Sequence, residues 1–225
     1  LTALTDPKAF AMKYGKDKAP LLFAMGDGNH SLATAKANWE QVKMGLSADE
    51  QQDHPARYAL VEIENVHDEG IVFEPIHRVV FGIFGDEAVQ ALLKLLKAQN
   101  GDAMVSTGKL LAPSGGETQV LPFITGETVG AFTVANPSAQ LAVGTLQNAI
   151  DALLMEMPAA EVDYIHGADV VREIAGRGDA IGFLLPAMEK AELFKTVVYD
   201  GALPRKTFSM GEANEKRYYM ECRRL

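Results

Sequence analysis

The sequence predicts an α/β protein in the broad sense, nearer α+β than doubly wound, with a mixed sheet of antiparallel hairpins and packed helices. Three observations predict it. Short β-prone runs lie close together across turn sequences, as in residues 57–65, His67-Asp68-Glu69-Gly70 and residues 71–73. Stretches with apolar residues three and four apart alternate with such runs. No repeat of fixed period and no low-complexity segment interrupts the pattern.

Along the chain, Pro20-Leu21-Leu22-Phe23-Ala24-Met25 reads as a buried strand ending at glycine. From Ser31 onward, Leu32, Ala35, Trp39, Val42 and Leu46 form one stripe of an amphipathic helix. Gly45 and residues 49–54 end it. Residues 57–65 are a strand with Tyr58, Leu60 and Val61 as apolar content, and residues 71–73 form its hairpin partner. Asp86 caps a helix carrying Val89, Leu92, Leu93 and Leu96.

The pattern weakens from 100 to 119, where Pro113-Ser114-Gly115-Gly116 marks a turn or loop. Residues 119–124 and 129–135 read as strands. Pro137-Ser138 opens a strong helix with Leu141, Ala142, Thr145, Leu146, Ala149, Ile150 and Leu153 inward. Residues 162–165 read as a strand, 169–175 as a short helix, 180–185 as a buried strand, and Pro186 opens another short helix through Phe194. Residues 216–225 read as a strand of mixed polarity.

With 225 residues, the chain can bury one large core or two tightly packed subdomains, divided near 125 and 126. Its formal charge is −9, from 30 acids and 21 bases, which counts against a nucleic-acid partner. No apolar run reaches the roughly 20 residues that span a bilayer, so no membrane partner is expected. One cysteine, Cys222, allows neither an internal disulfide nor a thiolate cluster, in keeping with a cytoplasmic location. The start, Leu1-Thr2-Ala3-Leu4, has neither a methionine nor a signal-peptide pattern and reads as a fragment lacking an N-terminal region. A homo-oligomer stays open.

The chief candidate site is Gly26-Asp27-Gly28-Asn29-His30-Ser31, at the joint between an apolar run and a helix. First-turn amides there lack intrahelical acceptors and favour an anion. Gly28 permits close approach, Asn29 and Ser31 add polar groups, Asp27 can take a hydroxyl proton, and His30 can donate or act as a base. The competing reading is that Asp27 and Asn29 only cap and turn the chain. A second constellation is Glu74-Pro75-Ile76-His77-Arg78, whose extended chain sends His77 and Arg78 to opposite sides. Arg78 suits bidentate contact with phosphate or carboxylate. A third, Pro204-Arg205-Lys206-Thr207, offers Lys206 and Thr207 to an anionic ligand, with a solvated basic loop as the alternative. The histidines show no ligand spacing for a metal, although magnesium on Asp27 and ligand phosphates needs little more protein.

Taken in this order with His166-Gly167-Ala168-Asp169, these motifs resemble a widespread microbial domain-of-unknown-function family. Its members run to about 400 residues and carry an Asp-Gly-His-His-Arg motif; this chain is similar to the central and C-terminal part. That family is in turn distantly similar to the ParB and sulfiredoxin-like group, which includes nucleotide-binding segregation proteins and kinases acting on free serine. The resemblance places Asp27, Gly28, Asn29 and His30 at the phosphate-handling motif. Asn29 stands where the first histidine would be, and Ser31 replaces the arginine. It implies ATP or ADP with magnesium, and a kinase-like transfer to a hydroxyl. Asp27, His30 and His77 would then be catalytic, with Gly28, Asn29, Ser31, Arg78, Lys206 and Thr207 holding the cofactor. A noncatalytic sensor of a nucleotide or small anionic metabolite is the alternative, and a hydrolase using His30 is a further one.

Overall fold

The computed structural model describes residues 1–26 and 28–210. The expected strand over 216–225 and the side chain of Asp27 lie outside them. The described residues divide into one unit of Leu1–Asp68 and another that starts at Glu69. The whole is a mixed α+β fold with an antiparallel sheet and packed helices.

In the first unit, α1 (Pro7–Tyr14) starts where Asp6 accepts from the amides of Lys8 and Ala9 at 3.3 and 3.2 Å. Phe10 and Tyr14 on its buried side have ring centroids 4.7 Å apart. Helix α2 (Asn29–Val42) realises the predicted helix, and α3 (Ala48–Asp53) follows with a capping box between Ser47 and Glu50. None of the residues of α2 is buried. Its Trp39 ring stacks on His54 with centroids 5.9 Å apart.

Two expected strands are corrected here. Residues 20–25 and 58–65 have no regular structure, Arg57 ends a short 3-10 helix (Pro55–Arg57), and Tyr58, Leu60, Val61 and Ile63 are exposed. A β-run needs a ladder partner, and among the described residues neither segment has one. The hairpin between 57–65 and 71–73 is therefore absent. The strand at 73 instead runs on through the histidine and arginine.

The second unit holds a seven-stranded sheet of β1 (Phe73–Phe81), β2 (Asp102–Thr107), β3 (Thr118–Thr125), β4 (Thr128–Ala135), β5 (Glu161–His166), β6 (Ala180–Phe183) and β7 (Phe208–Met210). The order is β2-β4-β3-β6-β1-β5, every pairing is antiparallel, and β7 also pairs with β1. Strands β3 and β4, each expected as a strand, form a tight hairpin that closes at Thr125 opposite Thr128. Strand β2 fell in the stretch with a weak pattern. It pairs with one strand and has a mostly exposed surface, so no apolar alternation announces it.

Helix α4 (Gly85–Asn100) buries Ala88, Val89, Leu92, Leu95 and Leu96; α5 (Ala142–Glu156) buries six of the seven residues expected inward, and the seventh, Leu141, is buried just before it. The caps differ from expectation. Phe84 rather than Asp86 precedes α4, and Gly167 rather than Asp169 precedes α6 (Ala168–Gly176). Helix α5 starts after Leu141, and α7 (Lys190–Asp200) starts four residues beyond Pro186.

Register assigns the two faces of the sheet. Val79 opposes Gly182 and Phe81 opposes Ala180. Val79 and Ala180 pack with Val171 of α6 and Leu184, so odd positions of β1 face α6. Arg78 opposes Phe183 and bonds Gln147 of α5, so even positions face α5. Helices thus cover both faces, which explains why Ile76 through Val80 are all buried.

Gly182 fixes the approach of α6. A Cβ there would lie 2.6 Å from Val171 Cγ1 and 2.9 Å from Ala175 Cβ, and both atoms are held in a helix. Gly182→Ala is expected to cost about 1–3 kcal/mol through overpacking, read as a lowered urea midpoint with unchanged slope.

Candidate functional site

The glycine-rich turn survives as the start of α2. Gly28 has φ 76° and ψ 18°, a left-handed conformation suited to glycine. Among the described residues, a Cβ at Gly28 would meet nothing within 4 Å. As N-cap, glycine brings no side-chain acceptor, and the Gly28 carbonyl accepts from the Leu32 amide at 2.9 Å. Asn29, His30 and Ser31 follow on the first turn, all exposed. The helix has 14 residues and no acidic residue in its first turn, so its positive end is not offset by a carboxylate of its own.

The other candidates lie in the second unit. His77 and Arg78 occupy opposite faces of β1, as extended geometry requires. His77 is 4% exposed, and its Nδ1 accepts from the Leu185 amide at 3.1 Å. That bond places the proton of the neutral ring on Nε2. Burial pushes the imidazole down to about 4, and the positive charges of Arg78 and Arg172, with His166, push the same way. At neutral pH His77 is uncharged.

Arg78 is fully buried. Its Nε donates to Gln147 Oε1 at 3.3 Å, its Nη1 to the Ile76 carbonyl, and its Nη2 to the Arg205 carbonyl at 3.1 Å. The guanidinium carbon sits 5.1 Å from the centroid of the Tyr164 ring, which pairs with Arg78 across β1 and β5. Gln147 passes the polarity outward, donating to Asp151 Oδ1 at 2.8 Å. Burial lowers the guanidinium to about 10, while Tyr164 and Asp151 oppose the shift, so the group stays charged. Among the described residues no carboxylate is within ion-pair distance of it.

The Nη2 bond joins two of the sequence motifs: Glu74-Pro75-Ile76-His77-Arg78 and Pro204-Arg205-Lys206-Thr207 meet at Arg78 and the Arg205 carbonyl. Thr207 is buried and its hydroxyl donates to the Pro204 carbonyl at 2.6 Å, closing the turn on itself. Lys206 is exposed at φ 57°. Sequence reasoning missed Gln147, Tyr164 and the Arg205 carbonyl. Gln147 left a trace as a polar residue within an apolar helix; a main-chain oxygen leaves none. In the His166 loop, Asp169 pairs with Arg172 at 2.7 Å.

Among the described residues, no cluster of three or more histidine, cysteine or acidic side chains could hold a metal, and no helix is long and apolar enough to cross a membrane. A mixed α+β protein with a glycine-opened helix and a buried arginine is thus the class defined by these features. The chain belongs to the family described as protein of unknown function DUF1015, whose profile matches residues 1–165. That stretch contains the Gly28 turn and the His77-Arg78 pair and stops before the Arg205 turn. No functionally curated protein matches the sequence significantly. Among solved structures, a conserved hypothetical protein from Pyrococcus furiosus is similar at TM-score 0.46 and 16% identity, over 68% of this chain and 61% of that one. Mutant forms of a free serine kinase are similar at TM-score 0.47 over 80% of both chains, at 15% identity in complex with AMP and 16% with ADP.

Proposed function

We propose that this chain handles a nucleotide, ATP or ADP with magnesium, and transfers a phosphoryl group to the hydroxyl of a small molecule. The observation carrying the reading is the start of α2, where left-handed Gly28 precedes exposed Asn29, His30 and Ser31. A helix start of this kind suits a phosphate through amides and dipole together. Its likeness to an Asp-Gly-His-His-Arg motif points the same way.

In this reading Asp27 takes the acceptor proton, and His30 with Gly28, Asn29 and Ser31 holds phosphate oxygens. In the second unit Lys206 is the cation offered to a phosphate, with Arg78 and Thr207 holding its turn. His77 would serve as a neutral donor through Nε2, since Nδ1 is occupied by the Leu185 amide. The replacement of the motif arginine by Ser31 leaves a planar cation to be supplied elsewhere.

A second reading is a noncatalytic nucleotide sensor. It is favoured by the enclosure of His77 and Arg78: His77 Nδ1 and the three guanidinium nitrogens are engaged by main chain and Gln147. Asp27→Asn separates the two. The phosphotransferase reading expects turnover to fall at least about 100-fold with nucleotide affinity within about threefold of the unsubstituted protein. Absence of transfer to any hydroxyl acceptor, with saturable nucleotide binding in both proteins, would leave the sensor.

A further inference from the structure

We infer that the Pro204-Arg205-Lys206-Thr207 turn is a binding site for the phosphate end of a phosphorylated ligand. Arg205 and Lys206 are its ligating side chains, and Arg78 is the residue that positions them. The inference deepens the nucleotide reading and rests on it only for the identity of the ligand.

Four observations carry it. Arg205 and Lys206 are exposed, and among the described residues neither cation has a carboxylate partner. Two adjacent unpaired cations in an acidic protein of net charge −9 stand against the prevailing field. Lys206 has φ 57°, a left-handed conformation that costs a branched Cα energy, and the only other described non-glycine residue at positive φ is Asn136, a type that tolerates it. A glycine would suit position 206 better, so lysine there is explained by its side chain rather than by the turn.

The turn is also held from beneath. Arg78 grips the Arg205 carbonyl, the Thr207 hydroxyl grips the Pro204 carbonyl, and Phe208 enters β7 opposite Pro75 with its ring 4.2 Å from that of Phe73. A short basic turn fixed at three points loses little freedom when it meets an anion. Finally, the buried charge of Arg78 lies directly under the turn. In a low-dielectric interior, with no carboxylate of the described residues at ion-pair distance, it adds to the positive potential above. Its own donors are engaged, so it acts through the turn and not on the ligand.

The test uses the chain with inorganic pyrophosphate as probe, followed by phosphorus NMR and calorimetry, and then ADP. Saturable pyrophosphate binding is expected. Arg205→Gln and Lys206→Gly should each weaken it by about tenfold or more and make its salt dependence shallower. Lys206→Gly should at the same time raise the Tm, because the left-handed position is relieved. Arg78→Lys keeps the charge but loses the fork. It should weaken binding while leaving the salt dependence unchanged, as befits a residue that does not face the ligand. Should Arg78→Lys lower the Tm too far for measurement, Thr207→Val loosens the same turn from its other end and should weaken binding in the same way.

A Lys206→Gly protein that is more stable and binds pyrophosphate undiminished would overturn the inference. So would an Arg78→Lys protein of unchanged affinity. Nucleotide binding insensitive to the turn variants would sink this inference and leave the nucleotide reading standing. Pyrophosphate binding at the turn without binding of ATP or ADP would do the reverse.

Discussion

Lowering the pH from 6.5 to 4 is expected to remove about 2 kcal/mol of stability through His77 alone. Its ring protonates near 6.5 when unfolded and near 4 when folded. Between those values the unfolded chain binds the extra proton, so stability rises with pH across the window and falls as acid is added. The full span corresponds to at most about 3 kcal/mol, and residual solvent screening reduces it to about 2. Above pH 6.5 the contribution is constant. The physical causes are burial and the cations Arg78 and Arg172, together with His166. Urea unfolding at half-unit steps of pH measures the slope. His77→Gln keeps an acceptor for the Leu185 amide and carries no titrating group, so its profile should lack this component. Parallel profiles for the two proteins would show that His77 is protonated without cost.

Arg78→Met is expected to destabilise the protein by about 3 kcal/mol. Two opposing effects decide the number. Removing a buried cation relieves a desolvation penalty, and buried charges replaced by apolar groups are often neutral to stability. Here the partners stay behind. The carbonyls of Ile76 and Arg205 and the Gln147 side chain would each lose a donor, at about 1–3 kcal/mol for a buried unsatisfied group. The loss outweighs the relief. Adding Gln147→Leu should restore about 1 kcal/mol by removing one stranded acceptor. A single variant as stable as the parent would mean that the guanidinium holds nothing together.

Much of the second unit was legible in the sequence because its elements follow plain periodicity. Leu141, Leu146, Ile150 and Leu153 mark α5, and the β3–β4 hairpin has the two runs and the turn that a ladder needs. What misled was the assumption that every β-prone run finds a partner. Tyr58, Leu60, Val61 and Ile63 have the composition of a strand and remain exposed, because pairing depends on a second segment that local sequence does not name. Caps were displaced for a similar reason. Asp86 and Asp169 are capping types, yet each lies within the first turn of its helix, where an acid favours the dipole instead.

The site divides in the same manner. His77 and Arg78 stood out by residue type, and alternation placed them on opposite faces. Their burial did not follow from the motif, since it comes from helices covering both sides of the sheet. The link from Arg78 to the Arg205 carbonyl spans 127 residues and ends on a main-chain oxygen. Only the fold reveals it.

Nucleotide binding is the claim on which the functional account turns. Ligand-detected NMR with ATP, ADP and CTP, with and without magnesium, tests it most directly. The account predicts saturable binding of ATP or ADP, weakened by substitution of His30 with alanine at the start of α2. No binding of any nucleotide, in either the presence or the absence of magnesium, would contradict it.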